Sequence, residues 1–251
     1  MPEGTPLPIR DIFARSRKAQ AWYERALRRI TAQIDTLVRG FNYEEIDGAA
    51  RLADTLERYS NIIEPWAEAV GRRMMADVAQ RDWRAWTQVG REIGRNLREE
   101  ITTAPTGFAM QQALKEQVGL IKSLPFEAAQ RVREIATEAY IGGRRAADIV
   151  DEILETGPIT RSRATMIART EVSRTAAELT AARAKHIGSD GFIWRSAKDK
   201  DVRPRHRKLE GKFFRWDDLP IIGEQGERGL PGAIYNCRCY PEVVVPMLVA
   251  A

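Results

Sequence analysis

Through His186 the apolar residues recur at three- and four-residue steps, and after the HIGSDG stretch at 186–191 that rhythm stops. This change of period constrains the fold more than any other feature. A step of about 3.6 residues places one apolar stripe along a helix, whereas short aromatic and β-branched runs bounded by Gly, Pro and Asp read as strands. Between Ala19 and Phe41 the positions Trp22, Tyr23, Ala26, Leu27, Ile30, Ile34, Leu37, Val38 and Phe41 make one face apolar, with Arg25, Arg28, Arg29 and Asp35 opposite. Gly40 and Asn42 end that helix.

A second run passes through Ile46, Leu52, Leu56, Tyr59 and Ile63, and Pro65 is expected to start or kink the next helix, which carries Trp66, Val70 and Met74. A third contains Trp83, Trp86, Val89, Ile93, Leu97 and Ile101, and TTAPTG at 102–107 interrupts it. The tryptophans at helical spacing are read as core contacts, because burying aromatic area dominates the energetics. A helix is expected from Gly107 to about Leu124. Another starts at Ser123 and Pro125 and stops at Gly142 and Gly143. A short one spans Arg144 to Glu155, and the last runs from about Thr160 to His186, with Ala164, Ile167, Ala168, Val172, Leu179 and Ala182 on its stripe. Glu171 falls on the margin of that stripe and needs a cationic or backbone donor partner, while Arg169 lies off it.

Beyond residue 190, GFIWRS, GKFFRW and CYPEVVV read as strands of a small sheet, with a polar turn at 197–211 that has room for one helical turn and a Gly- and Pro-rich loop at 217–236. The expected class is α+β: long N-terminal helices over 1–105, then a unit over 106–251 with helices to about 187 and a small sheet with long loops at 190–246.

The opening MPEGTPLPIRDIF lacks the basic start and apolar run of a secretory leader, and no segment approaches the roughly 20 apolar residues of a membrane span, so a cytoplasmic location without membrane attachment is expected. Net charge is +5, yet from Gly191 to Arg215 nine Lys or Arg face three acids, so the basic excess is local. Arg203, Arg205, Arg207, Lys208 and Lys212, interleaved with Phe213, Phe214 and Trp216, have the chemistry to neutralise phosphates and stack bases without reading sequence.

Cys237 and Cys239 are the chain's two cysteines. On extended backbone an i, i+2 pair faces one way with Cα atoms roughly 6.5–7 Å apart, at or beyond the limit of an unstrained disulfide. Two readings stay open. One is a pair of small buried thiols beside a hydrogen-bonded His206. The other is a zinc ion on His206, Cys237 and Cys239, with Asp201, water or His186 as fourth ligand. Catalysis by Asp201, Arg203 and His206, as a nuclease or toxin-like enzyme, lacks a paired carboxylate set and is not expected. The preferred reading needs no cofactor: Asp201, Arg203, His206, Asn236 and Arg238 form a polar lock that fixes the loops to the sheet.

The ordered set IARTE at 167–171 (with Arg169 and Glu171), Trp194, DVRPRH at 201–206, LEGK at 209–212 (with Gly211) and NCRC at 236–239 resembles the phage head morphogenesis family typified by the F protein of phage Mu. SLPFEAAQRVREIATEAYIGGRR is similar to that family's helical lead-in, and the resemblance covers Gly119 to Val245. Relatives of this kind frequently carry His-Pro before NCRC, where this chain has Ile234 and Tyr235, and some carry cysteines in place of Arg203 and His206. The resemblance implies a non-enzymatic minor capsid protein made during phage or prophage assembly. It would lie inside the prohead near the portal, with portal, capsid or scaffold proteins and non-specific packaged DNA as partners.

Overall fold

The computed structural model describes residues 4–6, 10–42, 47–92 and 103–246. The elements are β1 (Gly4–Pro6), α1 (Arg10–Arg39), α2 (Gly48–Ile62), α3 (Glu64–Glu92) and α4 (Thr106–Ile141). A 3-10 turn (Ala146–Ile149) follows, then α5 (Val150–Leu154), α6 (Thr156–His186), β2 (Gly191–Arg195), α7 (Pro204–Leu209), β3 (Phe213–Arg215) and β4 (Tyr240–Pro246). The class is α+β, as the change of period requires. Ile46, Ile93, Leu97 and Ile101 lie outside the described residues.

Two compact units emerge, and both draw residues from either side of residue 105. One comprises 22–72 and 114–168. Its core is the α1 stripe Tyr23, Leu27, Ile30, Ile34 and Val38 together with Leu52, Leu56, Ile121, Leu124, Val132 and Ile153, all buried. Polar ties inside it include the Tyr23 hydroxyl donating to Gln117 Oε1 at 2.7 Å and Arg163 with Glu127 at 2.5 Å.

Within this unit α4 runs unbroken through Pro125, where a helix start was expected. Proline deprives the Ile121 carbonyl of its amide partner, which normally disfavours an interior position. Here hydroxyls serve the carbonyls on either side: Ser123 Oγ donates to Leu120 O at 3.0 Å and Ser60 Oγ to Lys122 O at 2.8 Å. Gly143 adopts φ +64° just past the last helical turn, as a helix-ending glycine does. Pro158 occupies the first turn of α6, where its missing N–H has no bond to lose.

The second unit comprises 1–21, 73–113 and 169–251 and holds the sheet. Strand order is β1-β4-β2-β3, all antiparallel, with Gly191 opposite Val244 and Arg195 opposite Tyr240. The edge strand β1 was not expected, since GTP at 4–6 has no strand-like alternation; it pairs antiparallel with β4, Thr5 opposite Val245. Phe192, Trp194 and Val243 are fully buried on the sheet. From Thr170 to Ala181 α6 is buried at all positions but 174 and 178, so it is a core helix with no solvent face there.

A buried ion pair also belongs to this unit. Asp82 on α3 contacts Arg183 on α6, and the Thr180 hydroxyl donates to Asp82 Oδ1 at 2.9 Å. Both charged side chains are out of solvent, and burial lowers the Arg183 guanidinium to about 10. At neutral pH it stays charged and compensated by Asp82.

Candidate functional site

The site grows from three segments: the middle of α6, the loop and short helix α7 after β2, and the stretch leading into β4. Helix α7 begins where its sequence says it should, with Pro204 in the first turn after the extended Arg203. It ends at Gly211, whose φ of +76° requires glycine; the Gly211 N–H then donates to Trp194 O, and Trp194 N–H to Lys212 O, both at 2.9 Å. These bonds hang α7 on β2.

Cys237 and Cys239 precede β4 rather than lying within it, yet they alternate as extended residues do: both are buried and Arg238 between them is exposed. They point at His206, which is 1% exposed. His206 Nδ1 is 3.4 Å from Cys237 Sγ and 3.5 Å from Cys239 Sγ, and Nε2 is 3.1 Å from the Ile222 carbonyl. A carbonyl only accepts, so Nε2 carries the proton and Nδ1 presents its lone pair to the sulfurs. Trp194 packs edge-on against the imidazole, ring centroids 5.2 Å apart, and its buried indole N–H favours the Cys239 thiolate. The Cys239 thiol in turn bonds Cys237 and holds it as the more acidic sulfur, while that same bond and burial push Cys239 up.

Around this buried kernel lies a polar shell. Arg203 donates to Tyr235 O at 2.9 Å. Arg238 pairs with Asp199 at 2.7 Å and more weakly with Asp201 at 3.4 Å. Asn236 takes φ +57°, a left-handed conformation that asparagine tolerates. Its N–H donates to Thr170 Oγ1 at 3.1 Å and its Oδ1 accepts from Arg169 at 3.4 Å, so its ties reach α6 rather than its own backbone. Glu171, 2% exposed, has a cationic partner in Arg174 at 3.3 Å, and Arg174 also donates to Ala233 O at 2.9 Å.

The geometry thus brings together Arg169, Glu171, Trp194, Asp201, Arg203, His206, Gly211, Asn236, Cys237 and Cys239 in one region. His186 is the exception: it ends α6 exposed, 3.1 Å from Thr103 Oγ1, and does not join the cysteines. Sequence reasoning missed Asp199 as the main partner of Arg238, and it missed Ile222, whose backbone rather than side chain does the work. Asp199 was visible as a second acid two residues before Asp201; nothing marked the carbonyl.

The cationic residues behave differently. Arg195, Lys198, Arg215, Arg228 and Arg238 all pair with carboxylates. Arg203 and Arg207 bond only carbonyls, of Tyr235 and Lys200, and no ion pair engages Arg205, Lys208 or Lys212 among the described residues. All five are exposed. Two of the three aromatic residues expected to stack bases, Trp216 and Phe214, are used otherwise. Trp216 is buried against Phe192, centroids 4.8 Å apart, with its N–H donating to Ser189 Oγ at 3.1 Å, and Phe214 packs on Phe192 and Trp194. Their apolar area is worth more on the sheet than in water.

A small antiparallel sheet, a basic helix hung on its central strand and a cross-tied cysteine segment define a compact α+β module at the C-terminal end of the chain. Residues 130–241 match the family described as phage Mu protein F like protein, which supports the resemblance to the phage head morphogenesis family. A 163-residue stretch is 28% identical to an uncharacterized protein of Haemophilus influenzae (strain ATCC 51907 / DSM 11121 / KW20 / Rd), covering 64% of this chain and 35% of that protein. The match therefore spans about a third of that relative's length. No solved structure matches the chain. The family is one of structural, morphogenetic proteins. No helix among the described residues is long and apolar enough to cross a membrane.

Proposed function

We propose that the chain is a minor head protein that acts in prohead assembly near the portal and lies inside the virion head, with host cytoplasm as its place of assembly. Its N-terminal helices dock to a portal, capsid or scaffold protein, and the C-terminal module faces packaged DNA. The observation that carries the DNA contact is the split among the cations. Within the family segment, Arg203, Arg205, Arg207, Lys208 and Lys212 are exposed and have no carboxylate partner among the described residues, while the neighbouring arginines are neutralised. Unneutralised cations on a rigid, sheet-anchored helix suit phosphates of any sequence.

An enzymatic reading with His206 as general base is disfavoured by its surroundings. The imidazole is buried, with one nitrogen committed to a backbone carbonyl and the other to sulfur. A general base must reach the proton that it abstracts.

Retention on random-sequence duplex DNA tests the phosphate contact. Binding should weaken steeply with salt, the log–log slope falling by about 0.9 per phosphate contact. Arg205→Ala, Lys208→Ala and Lys212→Ala combined should make that slope shallower by about 2–3 without changing the circular dichroism. A slope unchanged by the triple substitution, or retention indifferent to salt, contradicts the contact.

A further inference from the structure

We propose that His206 Nδ1, Cys237 Sγ and Cys239 Sγ bind a zinc ion, which clamps the basic helix α7 to the segment entering β4. The inference is independent of the head role and rests on the geometry of the buried kernel.

The three ligand atoms lie within 4.8 Å of one another, and all three residues are buried. Zinc–sulfur and zinc–nitrogen bonds of about 2.3 and 2.05 Å at a tetrahedral angle put sulfur and nitrogen about 3.5 Å apart. The observed separations from Nδ1, 3.4 and 3.5 Å, match that edge on both sides. Hydrogen bonding alone accounts for this arrangement less well, because Nδ1 has one lone pair and two sulfurs face it almost equally. A cation at the common vertex satisfies all three donors at once.

The surroundings are those that a zinc histidine and zinc thiolates require. A metal-bound imidazole characteristically donates its other N–H to a carbonyl or carboxylate, which fixes the tautomer. His206 Nε2 has that partner in Ile222 O at 3.1 Å. The Trp194 indole nitrogen is buried and has no oxygen or nitrogen acceptor, and it lies against Cys239, where an N–H stabilises a thiolate. Two soft thiolates and one imidazole with tetrahedral spacing select zinc over the hard, oxygen-preferring cations. Binding releases the thiol protons to solvent, so affinity falls as pH falls. No fourth His, Cys, Asp or Glu joins the cluster among the described residues.

Such an ion would do structural work here. The α7 turn and the segment before β4 are otherwise joined by the exposed Arg203 and Arg238 contacts, which are individually weak.

The test uses the full chain, purified from zinc-supplemented culture and dialysed against metal-free buffer without chelator. Elemental analysis should find about one zinc per chain. Strong chelator should remove it and lower Tm, and returning zinc should restore both. Cys237→Ser, Cys239→Ser and His206→Ala should each lose the stoichiometric metal, whereas His186→Ala should keep it. Cobalt(II) added to the metal-free wild type should give thiolate-to-cobalt charge transfer and the intense visible bands of a tetrahedral ion. This readout holds even where a ligand variant misfolds. Wild type that is folded, carries no more zinc than the Cys237→Ser/Cys239→Ser double variant and shows no thiolate–cobalt band overturns the proposal.

Discussion

Replacing Asp82 by alanine is expected to destabilise the sheet-bearing unit by about 3–5 kcal/mol, lowering Tm by about 10 °C. Asp82 is fully buried, and its partners are Arg183 and the Thr180 hydroxyl. Without the carboxylate, the guanidinium that burial has already made less basic would remain charged inside the protein with nothing to compensate it. The loss should come from the stranded cation rather than from a missing attraction, so removing both charges should largely repair it. Asp82→Leu with Arg183→Met should recover most of the lost stability, since well-packed apolar residues commonly replace a buried pair at little cost. Urea unfolding of the three proteins checks this. A loss under about 1 kcal/mol for the single variant, or no recovery in the double one, would show that solvent reaches the pair.

The second large effect is expected at Trp194. Its side chain is fully buried at the centre of the module, touching His206 and Phe214, with its N–H turned to Cys239. Trp194→Ala should cost about 3–5 kcal/mol through lost transfer energy and the cavity left behind. Trp194→Phe should recover part of it by refilling the volume without the indole N–H. Unfolding midpoints separate the two contributions, and equal stability of the alanine and phenylalanine variants would remove packing as the reason.

Both predictions concern residues whose role was only partly legible from sequence. Trp194 stood out as an aromatic residue in a strand-like run. Asp82 and Arg183 lie far apart on helices α3 and α6, so no spacing rule pairs them. The same division runs through the site. The i, i+2 spacing of Cys237 and Cys239 correctly implied a shared face, and Glu171 at the edge of an apolar stripe correctly implied a partner. What the sequence did not disclose was backbone chemistry. The Ile222 carbonyl that fixes the His206 tautomer, the carbonyls near Pro125 that accept from serine hydroxyls inside α4, and the pairing of Gly4–Pro6 with β4 involve groups that every residue carries. The fate of Phe214 and Trp216 was illegible for another reason: an aromatic residue next to a basic run reads equally well as a stacking platform and as core, and only the register against Phe192 decides.

The head role is tested most directly by quantitative mass spectrometry of particles from the phage or prophage that encodes the chain, comparing purified proheads with mature virions. The chain should be found in proheads at a small fraction of the major capsid protein's copy number, and should stay with DNA-filled heads unless maturation removes it. Its absence from proheads and virions alike, while the protein is made in the same cells, would contradict the assignment to head assembly.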